Sequence, residues 1–134
     1  MARNPAALAR RARKQRFNIL VRRALSALPI DVQSMLDNVA IVVEEEPGPE
    51  HLADLPAHDS RDELFGLYQG IPRTERDSGY NIVAPDRITL FSGPLERACS
   101  SQAELVEQVR ITVLHELGHH LGFDEDGLAA MGLA

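Results

Sequence analysis

The sequence contains one cysteine, Cys99, and no tryptophan, and aromatic residues make up only 4% of its 134 residues. A single cysteine excludes an internal disulfide, which suits a reducing compartment. It also excludes zinc ribbons and iron–sulfur clusters, because both need several thiolate ligands. The small number of aromatic side chains gives no obvious hydrophobic patch for recognising a partner.

Long apolar runs are also absent. No stretch approaches the roughly 20 apolar residues that a membrane-spanning helix needs. The first ten residues are basic and lack the apolar stretch of a secretory signal, so nothing in them marks the chain for export. We therefore expect a cytoplasmic protein without a membrane span.

The composition that remains is that of an ordinary globular domain, with 44% hydrophobic and 25% charged residues. A chain of this length can bury enough surface for a core without metal or disulfide support. We expect a single domain over residues 1–134. Within it, residues 1–29 form a basic N-terminal helical arm, and residues 39–134 form the body that carries the functional motif.

Positive and negative charges are divided along the chain, although the net charge is −6. Eight of the 14 basic residues lie between Arg3 and Arg23, and no acidic residue precedes Asp31. Such an arm can bind nucleic-acid phosphates through residues 3–23. The favoured alternative is a helix that docks on its own acidic domain, because apolar residues recur at helical spacing. These residues are Phe17, Leu20, Ala24 and Leu28.

Hydrophobic patterns and Pro or Gly breakers predict an α+β fold with a small, mostly antiparallel sheet of three or four strands. Residues 47–62 are rich in turn-forming residues and are predicted to be a surface loop, with His51 and His58 in solvent. The predicted elements are a helix over 6–28, a short helix capped by Asp31 and ending at Asp37, and strands over 39–43, 63–68 and 86–91.

A last helix follows Ser101. Together with Glu104, Ser101 fits a capping box, and the residues after it are apolar almost all round the helix, so the helix is predicted to be central and buried. Gly122 can supply the left-handed turn that ends it.

This helix carries His115-Glu116-Leu-Gly-His119. Two histidines four residues apart lie on one helix face and can bind one metal ion, while Glu116 lies beside them and can reach a water on that metal. The alternative is a pair of neutral core histidines. That alternative leaves a buried carboxylate without compensation, which costs several kcal/mol, whereas a dication offsets the cost. The motif therefore favours metal binding.

The motif resembles that of the zincin superfamily of metalloproteases, and in particular the short bacterial zincin-like metallopeptidase family. The likeness rests on the run from His115 to Glu125, which is similar to the extended His-Glu-x-x-His-x-x-Gly-x-x-His/Asp motif. It also includes the run from Gly79 to Cys99, and it covers the body from about Val39 onward. The resemblance implies a zincin-like fold with a buried active-site helix, and Zn²⁺ as the cofactor.

The resemblance also implies a third protein ligand three residues after the glycine of the motif. That position is Glu125, which departs from the usual His or Asp. Asp126 and then Asp124 are the alternatives. A carboxylate of either length can bind zinc, so the expected metal ligands are His115, His119 and Glu125.

The implied function is a zinc metallopeptidase that hydrolyses a peptide or protein substrate with a metal-activated water, Glu116 being the general base. The alternative is a zincin-like module with weak or no hydrolysis that binds a metal or a partner, including nucleic acid through the arm. His120 and Tyr80 can donate to an oxyanion, but a packing or surface role is favoured for both. Cys99 is interpreted as a packed thiol.

Overall fold

The structure is a computed structural model, in which residues 4–52, 64–70 and 85–122 are described. Within these ranges it forms five helices and three strands, which confirms the α+β class. The elements in chain order are α1 (Pro5–Ser26), α2 (Ile30–Met35), β1 (Val39–Glu44), α3 (Pro49–Leu52), β2 (Gly66–Gln69), β3 (Asp86–Phe91), α4 (Ser92–Ala98) and α5 (Gln102–His120).

Helix α1 begins at Pro5 and ends at Ser26, within two residues of the predicted range 6–28. The Asn4 side chain accepts a hydrogen bond from the Ala6 N–H at 2.9 Å, and Pro5 stands at the first helical position, where no N–H is needed. The helix ends before Pro29. Its apolar stripe packs against α5, so the predicted docking of α1 on its own domain is confirmed. The predicted stripe residues Phe17, Leu20 and Ala24 on α1, and Leu28 just after its end, are all buried.

The basic face of α1 adjoins the acidic residues that directly follow β1. Arg10 Nε lies 3.9 Å from Glu45 Oε2, at the rim of a cleft that Arg13, Lys14 and Glu46 also line. Both side chains of this pair are exposed, so solvent screening leaves it little stabilising effect. Nucleic-acid binding through residues 3–23 stays a prediction.

The sheet has the strand order β1-β3-β2 and is mixed. Strand β1 pairs in parallel with β3 over six residue pairs, and β2 pairs antiparallel with β3 over four. The prediction of a mostly antiparallel sheet is therefore wrong. Consecutive strands can pair antiparallel without a crossover. Strands β1 and β3 are not consecutive, and the long connection between them allows the chain to return and pair in parallel. The apolar end of β3, from Ile88 to Phe91, is buried because β3 is the central strand.

Two short helices depart from the sequence predictions. Helix α2 begins at Ile30 after Pro29, so Asp31 lies in its first turn and does not cap it. Helix α4 begins directly after β3, where Ser92-Gly93-Pro94 predicted only the end of a strand. Pro94 occupies the first turn of α4, where a missing N–H costs no intrahelical hydrogen bond.

Helix α5 is the buried helix that the sequence predicts, with seven buried residues along its length. The Ser101 hydroxyl accepts a hydrogen bond from the Glu104 N–H at 3.1 Å, while the Glu104 carboxylate bonds Ser100 instead of completing the box. Gly122 has φ 93°, the left-handed conformation expected at the helix end. Among the described residues, no helix is long and apolar enough to cross a membrane.

Candidate metal centre

His115 and His119 lie on successive turns near the end of α5. Their ring centroids are 5.6 Å apart and the ring planes are inclined by 52°. Two imidazoles that share a zinc ion, each with a Zn–N bond of roughly 2.0–2.1 Å and a near-tetrahedral angle between them, have ring centres about 5 Å apart. The separation of the two rings is therefore close to that of imidazoles that share a metal ion.

Glu116 faces strand β2. Its Oε1 atom accepts a hydrogen bond from the Tyr68 backbone N–H at 2.9 Å. The pairing of β2 explains why this N–H points at α5. Because the Phe91 N–H donates to the Phe65 carbonyl, alternate residues of β2 face β3, and the N–H of Tyr68 faces away from it. The edge of the sheet thus holds one carboxylate oxygen of Glu116.

The charge state of Glu116 reflects opposing influences. Burial raises the pKa of Glu116 most strongly, whereas the Tyr68 N–H and the charges of His119 and His115 lower it. The net shift is upward, so the carboxylate holds a proton more readily than an exposed glutamate. A raised pKa suits a group that accepts a proton near neutral pH.

His120 points to a different set of residues. Its ring stacks on Tyr68 with centroids 3.9 Å apart, and its Nε2 atom lies 3.7 Å from Asp86 Oδ2. The Tyr68 hydroxyl donates to the same Asp86 oxygen at 2.8 Å. Neither Tyr68 nor Asp86 is among the site residues that the sequence predicts. No spacing rule links them, because they stand on neighbouring strands far from α5 in sequence.

His51 is buried, with 4% of its surface exposed, so the prediction that it is solvated is wrong. Helix α3 carries it inward, where its ring lies edge-on to Phe91 at 4.9 Å. No apolar period marks this segment in the sequence, because α3 is only one turn long.

His51 also belongs to a group of possible metal-binding residues with Glu44 and Glu50, one ligand atom of each lying within 4.8 Å of the others. The distances suit a metal, but the hydrogen bonding does not. His51 Nδ1 accepts from the Gly48 N–H at 2.9 Å, which leaves the proton of a neutral ring on Nε2, the atom that faces Glu44. A metal-binding histidine normally donates from its second nitrogen. We therefore assign this group a structural role.

Cys99 is partly buried beside α5. Burial, and then the charge of Glu104, raises the pKa of its thiol. A raised pKa keeps the sulfur protonated, which is unfavourable for a nucleophile and agrees with a packed thiol. The remaining candidates of the sequence analysis, Glu125, Asp124, Asp126, Tyr80 and His58, lie outside the described residues.

The model of the zincin-like metallopeptidase family matches residues 36–133. The chain belongs to this family. The zincin-like chain also matches a solved structure, that of a conserved hypothetical protein from Thermo thermophilus. The two are 24% identical, the match covers 88% of this chain and 98% of that one, and the TM-score is 0.49. No curated protein matches the sequence.

Proposed function

We propose that this zincin-like chain is a zinc-dependent peptidase whose centre is built on the end of α5. One observation carries the proposal: Glu116 is drawn into a partly buried position by the Tyr68 N–H, beside two imidazoles whose spacing suits a single metal ion. Burial raises the pKa of the Glu116 carboxylate, because it disfavours the charged form. A role in proton transfer beside a dication would explain why a carboxylate occupies this position.

The proposed roles divide among residues of α5. His115 and His119 hold the ion through neutral ring nitrogens, and bound zinc supplies Lewis acidity, which makes water acidic near neutral pH and polarises a peptide carbonyl. Glu116 takes a proton from the attacking water and returns it to the amine that leaves. The Tyr68 N–H occupies Oε1 of Glu116, so Oε2 is the oxygen available for the proton.

Glu125 is the proposed third ligand, with Asp126 and Asp124 as alternatives. We expect Glu125→Ala to weaken zinc binding by about 10²-fold or more, because one of only three protein ligands is lost. Asp124→Ala and Asp126→Ala are the matched controls, since each removes one carboxylate from the same acidic run of the sequence. Competition with a chromogenic chelator measures all three affinities. If one of the aspartate variants has the largest loss instead, the ligand is that aspartate.

Removal of the metal tests the activity itself. We expect the zinc-loaded chain to cleave members of a mixed peptide library, the chelated chain to leave them intact, and stoichiometric zinc to restore cleavage. Mass spectrometry of the library before and after incubation gives the cut sites, and Glu116→Gln protein prepared identically controls for contaminating peptidases. Zinc bound at one site with no cleavage of any peptide would contradict the proposal and favour the alternative, a zincin-like binding module.

A further inference from the structure

Strand β2 approaches α5 unusually closely at Gly66. A Cβ atom at this position would lie 2.7 Å from Thr112 Cγ2 and 3.2 Å from the Thr89 carbonyl oxygen. Real Cβ atoms essentially never come as close as 2.7 Å to another heavy atom. The side chain of any other L-residue at position 66 therefore requires either β2 or Thr112 to move.

Thr112 is not free to move. Its hydroxyl donates to the Gln108 carbonyl at 2.8 Å, which fixes the rotamer, and only 7% of its surface is exposed. The Thr112 methyl group therefore has a fixed position on α5, opposite Gly66. The absence of a side chain at Gly66 is what permits the observed separation of β2 from α5.

The contact between Gly66 and Thr112 is adjacent to the hydrogen bond between Tyr68 and Glu116. Tyr68 follows Gly66 by two residues on the same edge of β2, about 6.6 Å along the strand. Glu116 follows Thr112 by four residues on the same face of α5, about 6 Å along the helix. The two contacts therefore lie side by side between the same two elements, and a change of separation at one is transmitted to the other.

We propose that the contact of Gly66 with Thr112 sets the separation between β2 and α5 that allows the Tyr68 N–H to hold Glu116. Gly66 and Thr112 are accordingly positioning residues for the carboxylate. Their effect on hydrolysis rests on the proposed peptidase function, whereas their effect on the Tyr68–Glu116 hydrogen bond does not.

The test is a steric replacement with a compensating partner. Gly66→Ala introduces the clashing Cβ. Adding Thr112→Ser removes the opposing methyl group but keeps the hydroxyl that bonds Gln108, whereas adding Thr112→Val keeps the methyl group and serves as the matched control. Circular dichroism first establishes that each variant is folded. Amide hydrogen exchange at Tyr68, followed by NMR in the metal-free chain, then reports the hydrogen bond directly.

We expect Gly66→Ala to speed exchange of the Tyr68 amide by about tenfold or more, and to lower the kcat of the zinc-loaded chain by up to about 10²-fold with KM little changed, as a displaced catalytic group does. The Thr112→Ser double variant should recover both values, and the Thr112→Val double variant neither. Wild-type exchange in Gly66→Ala, or no recovery in the folded serine variant, would overturn the proposal. A wild-type chain that cleaves no peptide overturns the peptidase function alone, since the exchange measurement still decides this inference.

Discussion

Alanine at His115 or His119 should abolish stoichiometric zinc binding, and alanine at His120 should leave about one zinc ion per chain. Each of the first two substitutions removes one of only three proposed protein ligands, and a site left with two ligands binds zinc far more weakly. His120 is the matched control because it is the adjacent residue of the same helix end, but its ring stacks on Tyr68 and faces Asp86.

Elemental mass spectrometry of protein purified without added metal, and again after zinc reconstitution and gel filtration, gives the stoichiometry. Circular dichroism of each variant separates the loss of a ligand from the loss of the fold. Equal zinc content in the wild type and in folded His115→Ala would exclude the site on α5. Loss of zinc only in His120→Ala would mean that a different set of imidazoles holds the ion.

The features that sequence predicts well here are set by local geometry. Two histidines four residues apart must share a helix face once the helix exists, and the apolar pattern of α5 predicts that helix. The same reasoning explains α1, where Phe17 and Leu20 are buried as their spacing predicts. Its boundaries at Pro5 and before Pro29 follow from the proline ring itself.

The features that sequence does not predict arise where distant segments meet. The direction of β1 relative to β3 is decided by how the chain crosses between them, which no local pattern encodes. His51 is buried by packing on Phe91, although its neighbours in sequence are typical of a surface loop. The Tyr68 N–H that holds Glu116 is a backbone group, so its role depends on strand register and on no particular side chain.

Glycine illustrates this limit at two positions. Gly122 can be predicted from sequence because it directly follows an apolar helix and adopts a positive φ there. Gly66 cannot, because the constraint on it is the methyl group of Thr112 on another element. Only the assembled fold distinguishes a glycine needed for its backbone conformation from one needed for close packing.

Glutamine at position 116 should leave zinc bound and lower peptide hydrolysis by about 10²–10⁴-fold, the usual contribution of a general base. The amide has nearly the shape of the carboxylate, and its oxygen can still accept from the Tyr68 N–H, so the position of the side chain is preserved. It cannot take a proton from water. Zinc content and initial cleavage rates, measured on one preparation, separate binding from catalysis, and turnover near that of the wild type would remove Glu116 from its proposed role.

The same Glu116→Gln substitution should change the pH dependence of stability in the metal-free chain. Burial raises the pKa of Glu116 in the folded state, so the folded chain binds the proton more tightly than the unfolded chain does. The stability this provides is complete below the unfolded pKa of roughly 4.3 and is lost as the pH rises through the folded value.

Glutamine does not titrate, so the free energy of unfolding of the variant, measured with denaturant, should lack this loss. An identical pH profile in both chains would mean that Glu116 titrates alike in the folded and unfolded states. Excess zinc should suppress the loss in the wild type, because a dication beside Glu116 favours the ionised carboxylate.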